Sequence, residues 1–220
     1  MEQVGVRLPV GPHMNKARLE NLSDAVFAIV LTLLVIDIKI PETDVIHTTA
    51  SLVAALREIG PTMLEFFLSF IVLTMFWIGH NFLYSVFTKS INRVLIVLNL
   101  TYLAFISLIP FSARVLDTYR EIPLAVMVYG VNVFLIGLLN IIIFKYALYS
   151  DDVDTEEVSS RLIKQANIRL TITPFFALIG IGVANYSTEA AFVFYALPII
   201  FNVLPGTLNA LERLFGFELK

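Results

Sequence analysis

Long apolar runs separated by short polar segments fill the chain from position 22 onwards. A helix needs about 20 mostly apolar residues to cross the hydrocarbon core of a bilayer. Six runs reach that length, and they predict transmembrane helices at 22–40, 62–86, 91–113, 123–149, 163–184 and 190–211. The pattern therefore predicts an all-α integral membrane protein with six transmembrane helices per protomer.

The segment 44–60, between the first two runs, has a different pattern. Its apolar residues, among them Val45, Leu52 and Leu56, recur with the period of a helix, while Arg57 and Glu58 point away from them. The segment is too short and too polar to span a bilayer. It predicts a short interfacial helix between the first and second transmembrane helices.

Prolines and cap-forming residues mark several helix boundaries. Pro61 and Pro123 suit first-turn positions, and Asn92 or Ser90 suits the N-cap of the third helix. Four further prolines fall inside apolar runs, where they predict kinks: Pro110, Pro174, Pro198 and Pro205.

The composition agrees with lipid as the main solvent. Hydrophobic residues make up 58% of the chain and charged residues 15%, whereas a soluble domain carries about 25% charged residues. The chain has no cysteine, which excludes disulfides and thiolate chemistry. A net charge of -3 without a basic cluster argues against a nucleic-acid partner.

The distribution of Lys and Arg predicts the orientation in the cell membrane. If the N-terminus is cytoplasmic, eleven of the 15 basic residues, Arg169 among them, fall in inner segments. The outer segments keep four, namely Lys39, Arg57, Arg114 and Arg120. The positive-inside rule then places both termini in the cytoplasm of a multi-pass protein.

The domain organisation follows from the same runs. We expect an N-terminal segment over 1–17, a six-helix transmembrane domain over 18–214 and a tail over 215–220. "GPHM" at positions 11–14 resembles a cloning remnant, so we interpret the N-terminal segment as partly tag-derived.

Polar residues at one end of the first three spans are expensive in lipid and need partners. A centred Asp, Lys or Arg costs about 2.5–3.5 kcal/mol on insertion scales. Arg18, Ser23 and Asp24 at the first helix would lie at the depth of His80 in the second and Asn99 in the third. These five residues predict an inter-helix polar network. An open alternative is that Ser23 or Asp24 only caps the first helix.

One face of the first helix carries a regular aliphatic pattern. Ile29, Leu33 and Ile36 lie at i, i+4 and i+7, and Thr32 borders them. One interpretation is ordinary packing or lipid contact. The other is that several copies around an axis form stacked hydrophobic rings that gate a pore by dewetting. Asp37 would then attract cations at the outer mouth.

Several stretches together resemble a known channel family. "RLENLSD", Arg18 to Asp24, matches the Arg-x-x-x-Phe-Ser-Asp signature of the endolysosomal potassium channel family, transmembrane protein 175, with Leu22 in place of phenylalanine. "AVFAIVLTLLVIDI", "FWIGHNF" and "NRVLIVLNLTYLAFISLIPF" extend the match through the third span. The second half resembles the family in the number and character of its spans. The chain is similar to the prokaryotic members.

The resemblance implies a potassium-permeable cation channel without a Thr-Val-Gly-Tyr-Gly filter, a loop that this sequence lacks. It implies a pore lined by first helices, a main constriction at Ile29 with Leu33 and Ile36 further out, and ion selectivity at Thr32. It also implies the network of Arg18, Ser23, Asp24, His80 and Asn99. Longer relatives carry two six-helix repeats and form dimers, so one repeat implies a homotetramer.

Two other classes of function are weighed against a channel. A proton-coupled secondary transporter would use His80 and Asp24. An enzyme would need a nucleophile–base pair or a motif such as His-Glu-x-x-His, which is absent. The three histidines lie in unrelated segments, and the acidic segment 150–162 lacks the glycine of a calcium loop. We therefore expect potassium ions and lipid as partners, no cofactor and no metal site.

Overall fold

The structure is a computed structural model that describes residues 15–39, 47–150, 153 and 158–203. Every regular element in these ranges is a helix. In chain order they are α1 (Lys16–Leu33), a 3₁₀ turn (Leu34–Asp37), α2 (Thr49–Glu58), α3 (Gly60–Phe87), α4 (Arg93–Ser107), α5 (Ile109–Thr118), α6 (Pro123–Tyr149), α7 (Ser160–Val183) and α8 (Thr188–Val203). The predicted all-α class is confirmed.

Five stretches are long and apolar enough to cross a membrane. They are Lys16–Ile36, Gly60–Phe87, Arg93–Thr118, Pro123–Tyr149 and Ser160–Val183. Within the described residues α8 is shorter, and the remainder of the predicted sixth span, 204–211, lies outside them. The count of six spans therefore stays a prediction.

The first helix begins earlier than the apolar pattern predicts. The Asn15 side chain accepts a hydrogen bond from Ala17 N at 3.0 Å and caps α1 at Lys16. The expected start at residue 22 is wrong, because the first two turns are polar but helical. Capping by Ser23 or Asp24 is also excluded, since both lie inside the helix.

The third predicted span is two helices. α4 is capped by Asn92, whose Oδ1 accepts from Leu95 N at 2.9 Å. It ends at Ser107, and α5 restarts after Leu108 with Pro110 in its first turn. The first turn tolerates proline because a backbone N–H there would have no partner within the helix.

The predicted helix between the first two spans is α2. Thr48 and Ser51 form its capping box. Residues 44–46 of the predicted segment lie outside the described residues, and the location of α2 at the membrane interface stays a prediction.

The helices pack as an antiparallel bundle. α1 packs on α3 and α4, and α6 packs on α4, α5 and α7, with α8 against α7. Lys16 Nζ donates to Thr88 O at 2.7 Å, so the start of α1 meets the end of α3. We call this side the Lys16 end of the bundle and the opposite side the Asp37 end.

Small residues allow the second half of the bundle to pack closely. A Cβ placed on Gly137 of α6 would lie 2.8 Å from Cδ of Pro174 in α7. A Cβ on Gly180 would overlap the Tyr195 ring of α8. Close approach at small residues is a common way for helices to associate in membranes.

Candidate pore helix and polar network

α1 has two distinct faces, one buried and one uncovered. The buried face packs on α3 and α4 and consists of Leu19, Ser23, Phe27, Val30 and, in the 3₁₀ turn, Leu34. The uncovered face lies on the opposite side of the same helix. The protomer therefore fixes the rotation of α1 about its axis.

The uncovered face is a continuous stripe of mostly apolar side chains. We call it the α1 stripe and define it as Leu22, Ala25, Ile29, Thr32, Leu33 and Ile36. Ile29 is 58% exposed and Ile36 is 65% exposed, although both are large and hydrophobic. The three predicted constriction residues thus share one unpartnered face. Leu22 extends this face toward the Lys16 end, which sequence reasoning missed.

Thr32 adds a hydroxyl to the stripe. Its Oγ1 donates to the Ile29 carbonyl at 2.8 Å, within the same helix. Because that bond uses the hydroxyl hydrogen, the oxygen lone pairs stay available to an external group. Asp37 ends the 3₁₀ turn, and its side chain lies outside what the structure describes.

A chain of hydrogen bonds joins three helices on the buried side of α1. Ser23 Oγ donates to the Leu19 carbonyl at 2.9 Å and accepts from Asn99 Nδ2 at 3.1 Å. Asn99 Oδ1 lies 2.7 Å from His80 Nε2. The structure therefore brings together Ser23 of α1, His80 of α3 and Asn99 of α4.

Aromatic rings surround His80. The Tyr102 ring stacks on it with centroids 5.4 Å apart, and the Tyr84 ring lies 4.6 Å away. Phe27 of α1 closes a third side at 6.0 Å. With 3% exposure, His80 has no open path to water within the protomer.

Asp24 and Arg18 lie outside this chain of hydrogen bonds. Asp24 Oδ1 accepts from Trp77 Nε1 at 2.8 Å, on the exposed side of α3. Arg18 is exposed and forms no ion pair with Asp24 or any other described residue. Six residues along a helix are about 1.7 turns or 9 Å, so Arg18 and Asp24 do not pair directly within the protomer.

A second charged cluster lies at the Asp37 end and was not predicted. Arg120 Nη2 lies 3.1 Å from Asp117 Oδ1, and Arg120 Nε lies 3.9 Å from Glu65 Oε1. Thr62 donates to Asp117 Oδ1 at 2.8 Å. Glu65 is buried. A glutamate inside the predicted span 62–86 is the sequence feature that could have indicated a basic partner.

Arg169 is the other ionisable residue that sequence reasoning misplaced. It was counted with the inner segments, but it is the tenth residue of the 24-residue helix α7. Arg169 is also the seventh residue of the predicted span 163–184, so counting it with an inner segment disagreed with that span. A charge at that depth marks a site that needs an explanation.

The comparisons with known proteins agree with this architecture. The family model of the endosomal/lysosomal potassium channel TMEM175 matches residues 18–110. A potassium channel of Chryseobacterium sp. (strain P1-3) is 27% identical over 195 residues, which cover 87% of this chain and 94% of the relative. The endosomal/lysosomal proton channel TMEM175 of Danio rerio is 33% identical over 148 residues. This chain covers 28% of the length of the fish protein.

A solved structure shares the fold. The crystal structure of a TMEM175 homolog from Chamaesiphon minutus, described as a lysosomal potassium-selective channel, superposes with a TM-score of 0.74. The alignment covers 86% of this chain and 96% of that chain at 24% identity. The matched region 18–110 contains the α1 stripe and the Ser23–Asn99–His80 hydrogen bonds.

Proposed function

Because residues 18–110 match the TMEM175 family model and bacterial potassium channels are similar over most of the chain, we propose that the chain is a member of this family and a potassium-permeable cation channel of four copies with α1 lining the pore. Bacterial relatives named as potassium channels extend over nearly the same length, which supports an assembly of single-repeat chains. The observation that carries the proposal is the α1 stripe, a large apolar surface that the protomer leaves uncovered.

The composition of the stripe favours α1 over α3 as the pore helix. α3 also exposes large side chains, but they are mainly aromatic, as at Phe67 and Phe70. Bulky rings suit lipid or subunit contact. The α1 stripe instead places the small side chains of Ala25 and Thr32 beside its aliphatic residues, which allows four helices to approach one axis.

Gating in this proposal is hydrophobic. Rings of Ile29, Leu33 and Ile36 span about 10 Å along the axis at a rise of 1.5 Å per residue. A narrow apolar pore of this kind blocks ions by excluding water. Thr32 is proposed as the selectivity position because its hydroxyl oxygen faces the same side, and Asp37 as the outer cation-attracting residue.

The remaining predictions complete the proposal. α8 would continue as the sixth span, α2 would lie at the outer membrane interface, and the Lys16 end would face the cytoplasm together with both termini. Ser23, Asn99 and His80 would hold α1 in register, while Arg18 and Asp24 would act at the surface of the protomer. The buried, ring-enclosed environment of His80 gives no support to a proton-coupled transporter.

Reconstitution tests the proposal. Proteoliposomes with a potassium gradient should conduct, and Ile29→Asn should raise the flux because a polar ring wets the constriction. Val97→Asn on α4 is the matched control, since Val97 is 55% exposed on a helix outside the pore. If neither the wild type nor Ile29→Asn conducts, the channel hypothesis fails. An equal rise in Val97→Asn would reject α1 as the pore helix.

The stoichiometry has its own test. Native mass spectrometry of the protein released from a neutral detergent should give a species of four chains. A dimer that conducts potassium would retain the channel and reject the four-fold pore.

A further inference from the structure

Arg169 lies well along α7, half-buried and away from the α1 stripe. It is the tenth residue of α7, about 14 Å from the first residue at 1.5 Å per residue. A guanidinium stays charged at any accessible pH. A cation at this depth requires an anion, water or several hydrogen-bond acceptors.

The described residues supply little of what Arg169 needs. Its Nη1 donates to the Asn202 carbonyl at 3.4 Å, which is a long hydrogen bond. No carboxylate of the described residues forms an ion pair with it. Most of its five N–H donors therefore have no protein acceptor in the part of the chain that the structure describes.

A cavity of about 330 Å³ lies beside Arg169, between α3, α6 and α7. Its walls are mainly apolar and include Met75, Phe82, Phe87, Phe144 and Leu170. The polar lining comes from Arg169, Gln165 and Asn202. Ile78 and Phe82 are 43% and 39% exposed, so the cavity is accessible from the side of α3.

A second, small cavity adjoins Arg169. Its volume is about 30 Å³, and it is lined by Asn140 and Thr173 as well as Arg169. Asn140 is 3% exposed, and its Oδ1 has no hydrogen-bond partner. Polar groups are thus concentrated at one depth, and the space leading from them toward Phe87 and Leu162 is apolar.

From this arrangement we infer that the cavity binds a single-chain amphiphile with a carboxylate head, which pairs with Arg169. A carboxylate accepts two parallel hydrogen bonds from a guanidinium, and one positive charge calls for a monoanion. The volume is near the lower end of ligand cavities, about 300–1,000 Å³, which suits one acyl chain. A phospholipid is disfavoured because a cavity of this volume has no room for a second acyl chain, and an inorganic anion is disfavoured because the walls are apolar.

Binding of the acid is measured directly with a radiolabelled ligand. Trp77 donates to Asp24 of α1 and lies on the face of α3 opposite Met75 and Gly79, so its fluorescence does not report on the cavity. The full chain in nanodiscs of neutral lipid is titrated with radiolabelled undecanoate, and nanodiscs without protein give the background from the lipid. Saturable binding is expected, and the neutral methyl ester should compete about tenfold or more weakly because it lacks the charged hydrogen bonds.

Variants test the charge of Arg169 separately from the volume of the cavity. Arg169→Gln should weaken binding of the acid by about tenfold or more, while Arg169→Lys should retain much of it because the charge persists. Arg93→Gln, at the exposed start of α4, is the charge-matched control and should bind like the wild type.

Gly79→Val should also weaken binding by filling the cavity. A Cβ at Gly79 meets only Asn140 Nδ2 at 3.7 Å, so Gly79→Val is a second variant that tests the site if Arg169→Gln does not fold.

Three outcomes would overturn the inference. Equal binding of acid and ester would reject a charged head. Wild-type binding by a folded Arg169→Gln or Gly79→Val variant would reject the site. Equal displacement by dodecyl phosphate would reject the carboxylate class. None of these readings depends on ion conduction, so they are independent of the proposed channel.

Discussion

His80 Nε2 and Asn99 Oδ1 lie 2.7 Å apart, and the opposite end of the same amide donates to Ser23. Because Asn99 uses its NH₂ toward Ser23, its oxygen is the acceptor, and Nε2 of His80 must carry a hydrogen. The order of donors is therefore fixed from α3 through α4 to α1. Because each group has a fixed role as donor or acceptor, these hydrogen bonds can hold α1 in one position against α3 and α4.

Asn99→Leu should lower stability more than Ser23→Ala. The first change leaves the buried His80 N–H without an acceptor, at a cost of about 1–3 kcal/mol. In Ser23→Ala the Asn99 NH₂ loses its acceptor, but the serine hydroxyl itself had bonded within its own helix. Thermal unfolding in detergent, followed by size-exclusion chromatography, measures the order. A larger loss in Ser23→Ala would show that Asn99 is not the centre of the network.

Thr32→Val should lower the preference for potassium over sodium. The change keeps the shape and removes the hydroxyl oxygen from the α1 stripe. Thr101→Val is the matched control, because Thr101 is also exposed and its hydroxyl donates to Val97 O at 2.8 Å within α4. Reversal potentials in potassium and sodium give the permeability ratio. An unchanged ratio in Thr32→Val would remove Thr32 from selectivity.

Gly180→Ala should destabilise the bundle by about 1–3 kcal/mol through overpacking. The added methyl would overlap the Tyr195 ring, whose hydroxyl donates to the Val126 carbonyl at 3.1 Å. Gly182→Ala, one half-turn away, meets nothing within 4 Å and should be neutral or slightly stabilising. Melting temperatures of the two variants test this. Equal temperatures would mean that α8 moves aside without cost.

Arg120→Gln should be more damaging than Glu65→Gln. Removing the arginine leaves Glu65 as a buried charge without a counter-ion, whereas removing the Glu65 charge leaves Arg120 paired with Asp117. Glu121→Gln, on an exposed neighbour of Arg120, should have no effect. Yield of folded protein and thermal stability report the order. A more severe loss in Glu65→Gln would contradict the ion-pair assignment.

Much of the fold could be predicted because apolar runs and proline positions reflect local requirements of the bilayer and the backbone. The start of α1 could not, because its first turns are polar and depend on the Asn15 cap. The division of the third span at Leu108 was hidden because both sides of the break are equally apolar.

The candidate site also has a part that the sequence predicted and a part that it did not. Ser23, His80 and Asn99 stood out because each is polar within an apolar run. The α1 stripe was visible from the helical period. The Asp24–Trp77 pair and the Glu65–Arg120 pair join residues 53 and 55 positions apart, and no local pattern records which distant side chain supplies a partner.

The buried face of α1 restricts how the proposed pore can open. Turning α1 about its own axis would carry Ser23 away from Asn99 and Phe27 out of its aromatic pocket, so it would require the network to break. Tilting α1 about that contact would spread the Ile36 level while Ser23 stays in place. The Ser23–Asn99 hydrogen bond therefore acts as a pivot, and the pore should widen most toward the Asp37 end.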